Sequence, residues 1–189
     1  RYTLTEQIIH GMQVSNLAYD VGKELGLPVE LCHELAVAGI VHDIGKIPLS
    51  GYVEGDDTLV VEEMRFVRMH AQLSYELLKD RGYSSFILDA ILYHHENMDG
   101  SGYPDNLSGE KIPYGARILR ICDVYSALTS DRPYRRAFDR DTAIELMIDE
   151  IKNFDMEIFI AFLRVVHDHP QRVIHLESIE GIIEGELKQ

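Results

Sequence analysis

The 189-residue sequence is poor in the features that would assign it to several large classes. It has two cysteines, Cys32 and Cys122, without the paired spacing of a zinc ribbon or a redox motif, so a disulfide framework is excluded. Both fall in helical patterns, which predicts buried thiols in a reducing cytoplasm. No apolar run approaches the ~20 residues of a membrane span, and no signal-peptide pattern is present. Basic residues are scarce: 18 Lys and Arg stand against 32 Asp and Glu, a net charge of −14. Binding to a nucleic acid polymer, which draws its affinity from phosphate neutralisation, is therefore not expected. Internal repeats and low-complexity segments are absent. The glycines around 100–109 are not spaced as a dinucleotide or P-loop fingerprint, and no strand precedes them.

What remains is a chain of one-domain length with the composition of a globular protein, 46% hydrophobic and 26% charged. Helical periodicity appears at 5–25, 29–42, 59–80, 84–95, 113–128, 140–150 and 155–168. Gly26 and Pro28 end the first helix, and Pro28 and Pro113 start others. An all-α domain over residues 1–168 is expected, with about seven helices. The tail, 169–189, alternates weakly and suits a small hairpin or an irregular segment. Segments 47–58 and 96–112 carry the glycine, proline and acidic residues of loops, and the first is long enough to act as a lid. The chain opens at Arg1 almost directly into a helical pattern, so a larger protein with an upstream regulatory domain is expected; a homodimer is a further possibility.

The chemistry is concentrated in histidines and carboxylates. His42-Asp43 ends an apolar second helix, where an unpaired aspartate would be costly and a nearby cation would offset the cost. On a helix such neighbours diverge by roughly 100°, which suits two metals with a bridging carboxylate. His94-His95 repeats that arrangement at the end of the fourth pattern. Glu6 and His10, four apart, share a helix face; His70 and Asp123 lie in other helical patterns. Imidazole and carboxylate ligands without thiolate suit Fe, Mn, Co, Ni or Zn. Eight candidates exceed the three or four of a single-metal site, which predicts two or three divalent ions. Clustered ions activate water and clamp the oxygens of a phosphate during in-line displacement. Lys46 and the arginines would add positive charge at a phosphodiester. Residues 111–140 hold Lys111, Arg117, Arg120, Arg132, Arg135, Arg136 and Arg140 against three acids, a local patch suited to a small anion. His33, His167, His169 and His175 have no such company and read as ordinary residues.

His42-Asp43, with His94-His95-Glu96-Asn97-Met98-Asp99-Gly100-Ser101-Gly102-Tyr103-Pro104 downstream, resembles the HD-GYP family, a branch of the HD-domain metal-dependent phosphohydrolases. The likeness continues through Gly109 to Pro113, Ala116-Arg117-Ile118, Asp123-Val124 and Ala127 to Arg135, and covers roughly residues 1–165. It implies an all-α HD-domain bundle and hydrolysis of cyclic di-GMP to pGpG, in many members onward to GMP. It implies His10, His42, Asp43, His70, His94, His95 and Asp123 as metal ligands, with Glu6 at the place of the added ligand of trinuclear members. Iron or manganese is the metal implied. Lys46 matches the lysine beside the site, Tyr103 the tyrosine of the second motif, and Arg132 and Arg135 match residues that hold substrate phosphates and guanines. Lys46 and Asp43 are thus the residues expected to serve catalysis. Three positions depart from the family: the sequence of loop 47–58, Ser126 in place of a common aspartate, and Cys122 in place of alanine. Cyclic GMP-AMP is an alternative substrate, and a weakly active cyclic-dinucleotide-binding module is an alternative role.

Overall fold

The computed structural model describes residues 4–49, 60–131 and 135–168. The periodic segments become helices α1 (Leu4–Glu24), α2 (Val29–Val41), α4 (Val60–Leu78), α5 (Ser85–Tyr93), α6 (Tyr114–Leu128), α7 (Arg140–Asp149) and α8 (Met156–Asp168). A single turn, α3 (Lys46–Leu49), was not expected from periodicity. Four residues inside a segment rich in Gly and Pro carry too short a pattern to register. No strand occurs among the described residues. The rest of loop 47–58, Arg132 and the 169–189 tail, with its suggested hairpin, lie outside them.

Local chemistry sets the helix ends. Gly26 adopts φ +73° after α1, and Leu27 N–H donates to Gly22 O while Gly26 N–H donates to Lys23 O. This left-handed closure pairs carbonyls that α1 would otherwise leave open. The Ser84 hydroxyl accepts from Ile87 N–H at 3.2 Å to cap α5, and Asp139 accepts from Thr142 N–H at 2.9 Å to cap α7. Asp155 accepts from the N–H groups of Glu157 and Ile158 at the start of α8.

Helices α1, α2, α5 and α6 pack in a closed ring, α1 on α2 and α6, and α5 on α2 and α6. Helix α4 lies against α5, and α8 against α1 and α6. Leu35, Ile91, Ile118, Leu119, Ile121, Met147, Ile158 and Phe162 fill the interior. Cys32 and Cys122 are buried free thiols within it, as expected. Burial pushes the Cys122 thiol far up, so it packs as a small apolar group beside Asp123. Helices α1 and α2 cross closely. A Cβ on Gly39 would stand 2.7 Å from the Ser15 backbone, and one on Gly11 2.8 Å from Ile40 O. These two contacts bring His10, next to Gly11, up to His42, three residues beyond Gly39.

Candidate metal centre

Helices α2 and α5 both end at the centre of the ring. Helix α2 stops at Val41 and α5 at Tyr93, so His42-Asp43 and His94-His95 occupy the turns that follow. The negative ends of two helix dipoles therefore face the same volume, which favours cations there. His42 and His94 are fully buried, and His70 on α4 is 1% exposed. His10 on α1 and Asp43 are each 8% exposed. Asp123 enters from mid-α6.

Three of the histidines have their tautomer set by the same device. His42 Nδ1–H donates to Gly39 O at 2.7 Å, and His94 Nδ1–H to Ile91 O at 2.6 Å; His70 Nδ1–H donates to Val67 O. Each uses the carbonyl three residues upstream in its own helix, in the last turn for His42 and His94 and mid-helix for His70. The Nε2 lone pair is then aimed inward as a ligand, held by a backbone acceptor.

Those inward atoms meet. His70, His94 and His95 form one group, His10, His42 and Asp43 a second, and His42, His94 and Asp123 a third; within each, the ligand atoms lie within 4.8 Å of one another. His10 Nε2 is 2.8 Å from Asp123 Oδ1, and His42 Nε2 is 3.6 Å from that oxygen. Asp43 turns Oδ2 to His42 Nε2 at 3.5 Å and Oδ1 to His70 Nε2 at 3.1 Å. The side chains of His42 and Asp43 therefore converge at their tips. The backbone at His42 is still helical, φ −56° and ψ −32°, so the divergence expected of neighbours is closed by the side chains themselves. The carboxylate thus touches His42, of its own group, through one oxygen and His70, of another group, through the other.

Several of these atoms lack a hydrogen-bond partner although buried: His10 Nδ1, His42 Nε2, His94 Nε2 and Asp43 Oδ1. Lone pairs facing lone pairs in a dry interior are unfavourable without a cation between them. Four of the ligands are held in the protonation state that metals need, whereas His42 is shifted the other way: burial alone would push it down, but Asp43 and Asp123 beside it carry it up. Burial, with neighbouring histidines, keeps His94 neutral, and burial takes His95 down to about 3. Burial alone would push Asp43 up; His42 and Lys46 beside it outweigh that and hold it well below the usual carboxylate range. The bond from His10 and the nearby His42 do the same for Asp123 against its burial. The donor set, its orphaned atoms and its charge states fit divalent ions.

Glu6 is half-buried one turn before His10 on α1, but it belongs to none of the three groups. Lys46 points inward from α3, its Nζ 2.5 Å from Asp43 Oδ2. Tyr103 stacks on His95 with ring centroids 4.8 Å apart and 19° between planes, and Arg68 of α4 stands 5.7 Å over the same ring. Burial raises the Tyr103 phenol to about 12, so it stays protonated as a donor. Arg135 is turned elsewhere: its guanidinium donates to the carbonyls of Ala127, Leu128 and Arg136 and lies 4.3 Å over Phe138. There it closes the C-terminal end of α6. His33 stacks on Tyr19, and His167 pairs with its neighbour Asp168 on the surface, the ordinary roles expected of them.

Three residues with structural duties at the site escaped the sequence reading. From its place after the apolar second helix, Gly45 reads as a helix breaker. It lies beyond the end of α2, and its real constraint is α4: a Cβ there would stand 2.3 Å from His70 O and 2.6 Å from Ser74 N. Glu96, 2% exposed, accepts from Asp105 N–H at 2.7 Å and Leu107 N–H at 3.1 Å, and so closes the loop that carries Tyr103. Its signal was its place directly after His94-His95. Ser74 accepts from Gly45 N–H at 2.8 Å; nothing in its surroundings in the sequence marks it.

The HD-domain family profile matches residues 3–158. A cyclic di-GMP phosphodiesterase of Pseudomonas aeruginosa is 37% identical over 173 residues, covering 90% of this chain and 42% of that protein. A 3′3′-cGAMP-specific phosphodiesterase of Vibrio cholerae is 34% identical over 158 residues, covering 82% of this chain and 37% of the other. The chain thus spans about two fifths of the length of these curated relatives. Among solved structures, an HD-GYP-type protein of Bdellovibrio bacteriovorus superposes with a TM-score of 0.68 at 18% identity, over 88% of this chain and 55% of that one. The HD domain of an L. monocytogenes phosphodiesterase, in complex with cyclic-di-AMP, gives 0.60 at 20% identity, over 89% and 94%. With the paired ligand turns of His42-Asp43 and His94-His95 in place and Gly102-Tyr103-Pro104 packed beside them, the chain belongs to the HD-domain family and, within it, to the HD-GYP type.

Proposed function

We propose that this domain is a metal-dependent phosphodiesterase that hydrolyses cyclic di-GMP to linear pGpG, with onward cleavage to GMP. The observation that carries this reading is the convergence of seven ligand-type side chains from five segments on one volume, several with buried atoms that have no protein partner. The named activities of the relatives support the substrate class.

In this reading His10, His42, Asp43, His70, His94, His95 and Asp123 hold two or three ions, iron or manganese, with Glu6 as the added ligand of a third. Such ions supply an activated water and neutralise charge on the phosphate. The chain's own residues do the rest. Asp43 and Asp123, kept ionised, fix the ligand shell from two sides. Lys46 is partly exposed and donates to a non-bridging phosphate oxygen as negative charge builds up during displacement. The bond broken is P–O3′, which opens the ring and leaves a 5′-phosphate. His95 stacks on the Tyr103 ring and Arg68 stands over it, so its hydroxyl is what it offers the substrate. Arg132 is placed by resemblance to hold phosphate or guanine. Arg135 takes that role only by releasing the α6 carbonyls. The setting is the cytoplasm, with a regulatory domain elsewhere in a longer protein and a homodimer as its assembly.

Protein purified without oxygen and loaded with Fe(II) or Mn(II) is expected to convert cyclic di-GMP to pGpG. Absence of turnover by the metal-replete protein with cyclic di-GMP and with cyclic GMP-AMP would overturn the phosphodiesterase reading. The 34% identity to a 3′3′-cGAMP-specific enzyme favours cyclic GMP-AMP as the second candidate, and side-by-side turnover of the two nucleotides decides between them.

A further inference from the structure

The cationic stretch 111–140 divides in the fold. Arg117 pairs with Asp155 at 2.7 Å, Arg140 with Asp141 at 2.8 Å, and Arg135 is spent on backbone carbonyls. Arg120 alone among these four reaches the centre without a counter-ion. It lies three residues before Asp123 on α6, on the same helix face. Its Nε–H donates to Asn97 Oδ1 at 3.0 Å, in the loop that follows His94-His95. Asn97 is itself held, its amide nitrogen donating to Ser101 Oγ at 3.0 Å. The guanidinium is thereby fixed at one edge. Its two terminal nitrogens have no protein acceptor among the described residues and are not sealed from water. Among the described residues no carboxylate forms a salt bridge with it.

A half-buried arginine stays charged, and removing it from bulk water without a partner is unfavourable. Burial does press its pKa down, and its charge is felt by Asp123, Tyr103 and His95, which places it on their side of α6. An open pair of parallel N–H donors anchored at Nε matches the oxygens of a phosphodiester two at a time. A cyclic dinucleotide carries two such groups. The one being cleaved belongs at the ligand cluster with Lys46; Arg120 stands about one helical turn away from Asp123 along α6. We propose that Arg120, oriented by Asn97, binds the second, uncleaved phosphodiester of the cyclic dinucleotide. This rests on the phosphodiesterase reading and adds a substrate-binding residue to it.

Steady-state kinetics on cyclic di-GMP test the assignment, with metal content measured on each sample. Arg120→Gln is expected to raise KM by about 10- to 100-fold, the usual weight of a charge-assisted bidentate contact, with kcat within about threefold of the parent. Metal content should stay at the parent level. Arg120→Lys keeps the charge but loses the fork and the Asn97 anchor, so its KM should fall between the two. Asn97→Ala leaves Arg120 present but unoriented and should raise KM by a smaller factor than Arg120→Gln. An unchanged KM in Arg120→Gln overturns the proposal. So does a fall in kcat with loss of metal, which would mean Arg120 acts through Asp123. If the parent itself turns over no cyclic dinucleotide, the phosphodiesterase reading fails first and the Arg120 assignment fails with it.

Discussion

His70 Nε2 and His95 Nε2 face each other at 3.0 Å, although His70 already donates from Nδ1 to the Val67 carbonyl. A neutral His70 therefore presents a lone pair to its neighbour. The spacing is about that of two nitrogens sharing one ion at right angles, with metal–nitrogen bonds of about 2.1 Å. Removing divalent ions with a chelator is expected to lower the melting temperature by roughly 10 °C, since an ion bound far above its dissociation constant contributes a few kcal/mol. Readdition of Fe(II) or Mn(II) should restore it. A melting temperature indifferent to chelator and metal would show that the cluster holds no ion.

Acid should act on the same residues. In the unfolded chain a histidine takes up its proton near pH 6.5, whereas His95 in the fold resists until about 3 and His94 is also held low. For these two the unfolded state binds more protons across that window, so their contribution to stability falls as pH drops from about 6.5 toward 3; His42, shifted up, opposes them only above about 6.5. For His95 alone the loss reaches about 2 kcal/mol at pH 5. Asp43 and Asp123, with lowered values, act in the same direction below about pH 4. Urea midpoints of chelated protein at pH 8 and pH 5 measure this, and equal midpoints would refute it.

Gly45→Ala should damage the centre without touching a ligand. The added Cβ must push α4 away at His70 O and Ser74 N, both backbone atoms. Overpacking of this kind costs about 1–3 kcal/mol. Because His70 rides on α4 and Asp43 on the turn before Gly45, their 3.1 Å approach should open. A lower melting temperature accompanied by loss of bound metal is the expected pair of results. Full metal retention would mean that the crossing adapts.

Glu96→Gln tests the loop. The carboxylate accepts at both oxygens, and an amide can accept at only one, leaving a buried N–H opposed to an NH2. A loss of about 1–3 kcal/mol is expected in thermal or urea unfolding. Tyr103 and Asn97 sit in or beside that loop, so KM should rise more than kcat falls. A variant with parent stability and KM would show that the loop is held by its other contacts.

Much of this protein is readable from residue order, and the reasons are local. Helical periodicity, Gly26 with Pro28, and Pro113 mark elements whose bounds shift by only a residue or two, because caps and proline act within one turn. Histidines at the ends of apolar helices, with Asp123 mid-helix between apolar neighbours, identified candidate ligands, since burial of such groups demands a partner. Only the tertiary structure decided which of them meet. It sent the tips of His42 and Asp43 toward each other and left Glu6 outside the three close groups. It made Gly45 a contact point for α4 in place of a helix breaker. It also split one basic stretch into an ion pair at Arg117, a helix closure at Arg135 and an unpaired fork at Arg120. A sequence records which charges lie near each other along the chain. Whether an arginine is spent on a carboxylate, a carbonyl or a ligand depends on what distant helices bring within about 3 Å of it, and that is set by packing.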